Sequence, residues 1–379
     1  MSNRTFFYSI VDTAFQFVLG VRLTAGSQHS GATDSSGFAW TWASNAQGEL
    51  GDNTTTNRSS PVSVVGGRRF YKISLSSDNV SNFGAGIDES GYAWTWGFGA
   101  SGQLGNNSTT NTSSPVSVVG GRKFKDISAG QTHVAALDLD GHLWTGGANG
   151  AGQLGNNTFS TGESSPVSVV GSLIATTVAS GGLFTVVLDR SSYAWAWGTN
   201  SRGRLGDDST DFRSSPVSVV GGKQFRFIST GAALTIAIDS SSYAWAWGLG
   251  SFGNLGNGSP GLSGDPDASS PVSVVGGRTF IYAAAGSGSN WVLDQSGFAW
   301  AWGNNGVGQL GDGTTTARQS PASVVGGRTF TAIDAGNSHV VAVDTSSFIW
   351  AWGLNTSGNL GINTTTNSSS PVSVIHSFS

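Results

Sequence analysis

The chain has 379 residues, of which 57 are glycine, 14 tryptophan and none cysteine, and it carries a formal net charge of −4. Disulfides, thiolate zinc sites and a cysteine nucleophile are thereby excluded, and so is the basic footprint of a nucleic-acid binder. No apolar run reaches the ~18 residues that cross a membrane as a helix, while an 11% aromatic share is ample for a core.

Residues 1–16 precede the pattern that organises the rest and are read as an N-terminal extension, an anchor or an added strand. From residue 17 onward one unit recurs seven times, marked by Trp40, Trp94, Trp144, Trp195, Trp245, Trp300 and Trp350. The steps between them are 54, 50, 51, 50, 55 and 50 residues, and a Leu-Gly pair follows ten residues after each. A proline closes every copy, from Pro61 to Pro371, in a Ser-Pro-Val-Ser-Val context that only Ala322 breaks. Self-similarity at this period is the mark of a repeat architecture.

Within a copy, four short runs alternate in polarity. The Pro-Val-Ser-Val-Val run ends at Gly-Gly, a turn signal. Next come a run such as 124–129 and a third such as 133–137, which ends at an Asp. The fourth is aromatic, as in Tyr92-Ala93-Trp94-Thr95-Trp96, and period 2 sets its two tryptophans on one face. Four strands per unit, seven times over, predict an all-β, seven-bladed β-propeller of four-stranded antiparallel blades. The repeat opens with second- and third-strand material at 17–34 and closes with first-strand material at 371–375. One sheet is therefore expected to be shared by both ends, closing the ring with N- and C-terminal strands. A single domain spans 17–379.

Trp94-Thr95-Trp96-Gly97, Gly102-Gln103-Leu104-Gly105, Pro115-Val116 and then Gly130-x-x-His133 with Leu137 resemble the repeat of the regulator of chromosome condensation family, RCC1. The resemblance covers about residues 17–375. It departs at Gly146, where a second Trp is expected, and in the histidine, which stands only at His29, His133 and His339. The founding member acts on a small GTPase and on chromatin, but the basic tails and the inserted wedge of such a protein are missing here. The resemblance thus implies fold, and exchange activity is not carried over.

Catalysis needs convergent, unlike groups, whereas the carboxylates Asp34, Asp88, Asp138, Asp189, Asp239, Asp294 and Asp344 recur once per unit. They read as turn caps, and no enzyme is expected. Strand parity sorts the loops onto two faces. One bears the rim bases Arg68, Arg122, Lys223, Arg278 and Arg328 beside the repeated Asp, an arrangement suited to charge pairing. The other bears all three length insertions, around 75–83, 159–163 and 259–268, where binding loops are commonly grafted. Its candidate ligand or partner residues are Asp78, Asn79, Phe83, Phe159, Glu163, Asp265 and Asp267. No cofactor or metal site is expected, beyond weak Ca²⁺ binding by the aspartates near 207–211 and 265–267.

Loops rich in Asn, Ser and Thr and twelve Asn-x-Ser/Thr sites suggest an outside-type surface, yet the N-terminus does not read as a signal peptide. The leading expectation is a structural or adhesion propeller on a virion or extracellular surface, such as a phage appendage or decoration protein. Its partners would be other structural proteins, further copies within an oligomer or larger assembly, or a host-surface glycan, with no nucleic acid and no membrane insertion. The alternatives are a cytoplasmic protein-binding scaffold or exchange-factor-like regulator, and a multivalent lectin.

Overall fold

The computed structural model describes residues 21–77, 81–259 and 266–376. Twenty-eight strands form seven four-stranded antiparallel sheets, as expected. We call them blades 1 to 7, spanning 22–63, 70–117, 124–168, 175–218, 225–273, 280–323 and 330–373. The four strands of a blade are a to d, in chain order. Among the described residues the one helical element is a short 3-10 turn at Ser251–Gly253, and no helix is long and apolar enough to cross a membrane.

The shared sheet is not formed. Each blade draws its strands from one continuous segment, so the Pro-Val run is the outer strand of the copy that precedes it: Trp350 pairs with Ser373 inside blade 7, and Arg22–Ala25 pairs with His29–Thr33 inside blade 1. The terminal strands still close the ring, through packing between blades. Strand a of blade 1 lies against strands a and b of blade 7, and strands a follow one another around the axis.

Those a strands lie side by side without a ladder between them, which leaves backbone N–H groups to satisfy. Side-chain oxygens of the preceding blade accept them. Thr24 accepts from Leu75 N at 3.0 Å, Ser74 from Ala129 N at 3.0 Å, Ser128 from Ser180 N at 2.8 Å and Ser229 from Ala285 N at 3.1 Å. At the closing seam Asp334 accepts from Ala25 N at 3.0 Å. Burial pushes the Asp334 carboxyl up to about 6 against these hydrogen bonds.

Between blades the second Trp of six c strands is the principal filler, Gly146 standing in its place in blade 3. Trp42, Trp96, Trp197, Trp247, Trp302 and Trp352 are fully buried. Several also donate backwards: Trp96 Nε1 bonds Glu49 O and Trp42 Nε1 bonds Asn359 O, both at 2.9 Å, the latter across the seam. A glycine with positive φ follows in six blades, and in blade 1 the same left-handed turn falls on Ala43, at φ 89°. His133 and His339 are buried and reach the next blade through Thr185 and Ser30, at 2.9 and 2.8 Å. Burial lowers both to about 4 and lowers His29 to about 3, so all three are neutral imidazoles.

Candidate functional site

The insertion face is more structural than its composition suggests. Phe83, expected to face a ligand, is fully buried in the core cluster of blades 2 and 3, because it occupies the strand-b position that His133 and His339 hold elsewhere. The segment 159–163 is not a free loop: it lengthens strand d of blade 3 to Ser160–Ser168, with Glu163 paired to Gly147. Phe159 stands exposed beside it. Asp267 binds Gly250 N at 3.0 Å and Arg202 at 3.3 Å, which ties the insertion to its own blade and to blade 4. Asp78, Asn79 and Asp265 lie outside the described residues.

The amide-rich loops of this face are held from within. Asn45 receives Leu50 N on its carbonyl and donates to Asp52, Thr54 O and Thr56 O, all within 3.2 Å. Asn200, Asn305 and Asn355 repeat most of this set. Asp52, Asp207 and Asp312 are clamped by Arg58, Arg213 and Arg318 at 3.0, 2.8 and 2.7 Å. Burial works to raise these three carboxyls, but bonds from Thr54, Ser209 and Thr314 and from the arginines hold them below the usual carboxylate range. Asp207 is therefore a structural anion with an arginine on it. Among the described residues the metal-type ligands that gather within 4.8 Å are Asp138, Asp140 and His142, on the other face. One of these side chains serves the hairpin: Asp138 Oδ1 accepts from Asp140 N at 3.1 Å and from His142 N at 2.9 Å.

That other face is built from the b–c hairpins and the d-to-a connections, and its parts repeat with little variation. Each repeated Asp caps its hairpin as the sequence suggests. In blade 2, Asp88 Oδ1 accepts from Ser90 N and Tyr92 N, both at 2.9 Å, while Oδ2 accepts from Trp94 Nε1 at 2.8 Å. The first Trp of the pair is thereby pinned by the N–H edge of its half-buried ring, which leaves the ring faces to other contacts.

The rim bases lie on those ring faces. Arg68, Arg122 and Arg328 sit 3.4 Å from the centroids of Trp94, Trp144 and Trp350, Arg278 sits 3.6 Å from Trp300, and Lys223 Nζ sits 3.7 Å from Trp245. The expected pairing with the repeated Asp is replaced by cation–π stacking, because the carboxylates already bind N–H groups of their own hairpins. Over Trp40 the place is taken by the His376 ring, 4.1 Å away. In the connection before Trp195 the matching sequence position is Leu173.

Beside each first Trp a further ring points outward. Phe38, Tyr92, Tyr193, Tyr243, Phe298 and Phe348 are 36–59% exposed, and exposed His142 holds the same position in blade 3. Seven aromatic side chains thus circle one face, with Arg69 and Lys123 reaching over Phe38 and Tyr92 at 5.7 and 5.5 Å. The sequence carries the signal, an aromatic two residues before the first Trp of every copy, but as strand material it drew no functional reading.

The fold and this repeated face define a propeller of the RCC1 type. The chain belongs to the RCC1-like domain family, whose model matches residues 9–328. It is 28% identical over 200 residues to the E3 ubiquitin-protein ligase HERC2 of Homo sapiens, covering 50% of this chain and 4% of that one. It is 29% identical over 119 residues to the ultraviolet-B receptor UVR8 of Arabidopsis thaliana, covering 30% of this chain and 26% of the receptor. The match thus spans a small part of each relative's length. Among solved structures it superposes on yeast RCC1 (Prp20), seen bound to Kap60, with a TM-score of 0.79 at 16% identity, over 100% of this chain and 91% of that one. Human WBSCR16 gives 0.78 at 17% identity, over 89% and 94%. At such identities the superpositions carry the fold alone.

Proposed function

We propose that this chain is a non-catalytic protein-binding propeller whose hairpin face docks a partner, the scaffold or regulator reading of the sequence. The observation that carries it is the circle of exposed aromatic rings interleaved with tryptophan-seated arginines. Aromatic and arginine side chains on a rigid frame are the composition of interface hot spots, and their order here comes from packing within each blade. The Asp carboxylates of this face are engaged in hairpin caps, which favours binding over catalysis. The curated relatives named above are an E3 ubiquitin-protein ligase and an ultraviolet-B receptor, and a virion role draws no support from them. The glycan reading is weakened by loops whose amides and hydroxyls bind one another. A location inside the cell goes with the proposed role.

The test is affinity capture from the source cells with three forms of the full chain. A triple Tyr92→Ala, Tyr193→Ala, Tyr243→Ala variant is expected to lose the partner retained by the wild type. A Phe159→Ala, Phe212→Ala variant, which removes exposed rings from the c–d loops of blades 3 and 4 on the insertion face, is expected to keep it. The reverse pattern would overturn the choice of face.

A further inference from the structure

Blade 4 is the one blade in which the first Trp has no ring or cation from the preceding connection placed on it. The backbone there is unchanged. Gly171 and Ser172 have φ of 94° and 53°, against 99° and 63° for Gly66 and Gly67 before Arg68. The difference lies in three side chains. Leu173 stands where five other connections carry Arg or Lys, Ile174 follows it, and Ala175 replaces the phenylalanine that begins strand a elsewhere, as Phe70, Phe124, Phe225, Phe280 and Phe330 do. Leu173 packs with the core cluster of Val178, Val187 and Trp197. The loss of bulk leaves an open cleft of about 530 Å³ lined by Leu173, Ile174, Trp195, Pro216, Asp189 and Arg190, among others.

We propose that this cleft receives the guanidinium or ammonium side chain of a partner protein, laid on Trp195 as Arg68, Arg122, Arg278, Arg328 and Lys223 lie on their own tryptophans. This subsite rests on the protein-binding reading of the same face. Trp195 is prepared as its siblings are: Asp189 Oδ2 accepts its Nε1–H at 3.0 Å, and Oδ1 accepts Ser191 N at 2.8 Å and Tyr193 N at 3.0 Å. A carboxylate bonded to the indole N–H increases the negative character of the ring face, the feature a cation recognises. The chain itself shows what the seat selects, since five of its six siblings hold a Lys or Arg group within 3.7 Å of the ring centroid. The sixth holds an imidazole. Arg190 is the one cation lining the cleft, and its Nη2 is engaged with Asp140 O at 3.1 Å, on the side of blade 3. An incoming cation therefore meets the indole, the apolar walls and Asp189.

The experiment uses the full chain labelled with 5-fluorotryptophan, with the Trp195 ¹⁹F signal assigned by its loss in Trp195→Phe. The probe is N-acetyl-arginine methylamide, and its neutral citrulline counterpart is the control. The arginine probe is expected to move the Trp195 signal saturably, with the citrulline compound about fivefold weaker, the factor typical of a half-exposed cation–π contact. Leu173→Arg, which fills the seat from within the chain, should abolish the shift, and Arg190→Ala should preserve or strengthen it. The proposal is overturned if Trp195 does not respond, if citrulline or a phenylalanine analogue binds as well, or if Leu173→Arg leaves the response intact. These results do not depend on the capture experiment, so a failed subsite and a failed binding face are told apart.

Discussion

The imidazole of His376 lies 4.1 Å from the ring of Trp40, where Arg68 covers Trp94 one blade later. A residue just beyond the last strand of blade 7 thus covers the first blade's tryptophan, as a side chain from the preceding connection does at five other junctions. Trp42 to Asn359 O and His339 to Ser30 reinforce it. The ring is closed by side chains, and its stability follows from small repeated terms.

Removing one of those terms has a bounded cost. Arg328→Gln takes the cation from Trp350 and keeps most of the stem, and is expected to destabilise by about 0.5–1 kcal/mol. Urea denaturation followed by tryptophan fluorescence measures it. Lys223→Gln should cost no more than this, since an ammonium stacks less well on an indole than a planar guanidinium.

Ala43 is held at φ 89° in the position where Gly97, Gly147, Gly198, Gly248, Gly303 and Gly353 serve the other blades. Ala43→Gly should stabilise by about 1 kcal/mol through relief of that strain. Gly97→Ala should destabilise by more, because its Cβ would meet Asn82 O at 2.7 Å. Paired melting curves of the two variants decide the sign.

Gly146 stands where six blades have a buried Trp, beside a void of about 20 Å³. A Cβ built there meets nothing closer than 3.8 Å, and φ is not positive. Gly146→Val is expected to stabilise by about 1 kcal/mol, from reduced unfolded-state entropy and better β-propensity. A lower melting temperature would show that blades 2 and 3 have already closed on the site.

Two sets of buried groups oppose each other in pH. His29, His133 and His339 have depressed pKa values, so their contribution is present above 6.5 and is lost as pH falls toward about 4. Asp334 is raised to about 6, so the folded state binds the extra proton. Its contribution is full below the unfolded value of 3.8 and is lost as pH rises through 6. Asp334→Asn should therefore be more stable than the wild type at pH 7.5, with the gap narrowing below pH 5. Chemical denaturation at the two pH values checks this.

Most of the architecture is legible in the sequence because each blade repeats the same local instructions. Trp94-Thr95-Trp96 specifies a strand face, and Asp88 specifies the hairpin before it. Sheet membership is less legible. A periodic pattern fixes the spacing of strands and leaves open whether Pro115–Val116 pairs with the Trp strand before it or with the run after it, and the first option is realised. Loop insertions mark one face, but what their residues do is not legible from the pattern: Asp267 ties neighbouring loops together, Glu163 extends a strand and Phe83 is core. The rings from Phe38 to Phe348 went unread because an aromatic residue in a strand looks like core until its exposure is known. Leu173 could have been noticed as the one connection without a cation, but its meaning depends on seeing the other cations lie on tryptophan.

The central claim is that the hairpin face meets a protein partner. Site-specific photo-crosslinking in the source cells addresses it, with p-benzoylphenylalanine placed at Tyr92 and Tyr243 on one face and at Phe159 and Phe212 on the other. The account predicts a discrete protein adduct from the first pair and none from the second. Adducts from the Phe159 and Phe212 positions alone, or capture of glycan in place of protein, would contradict it.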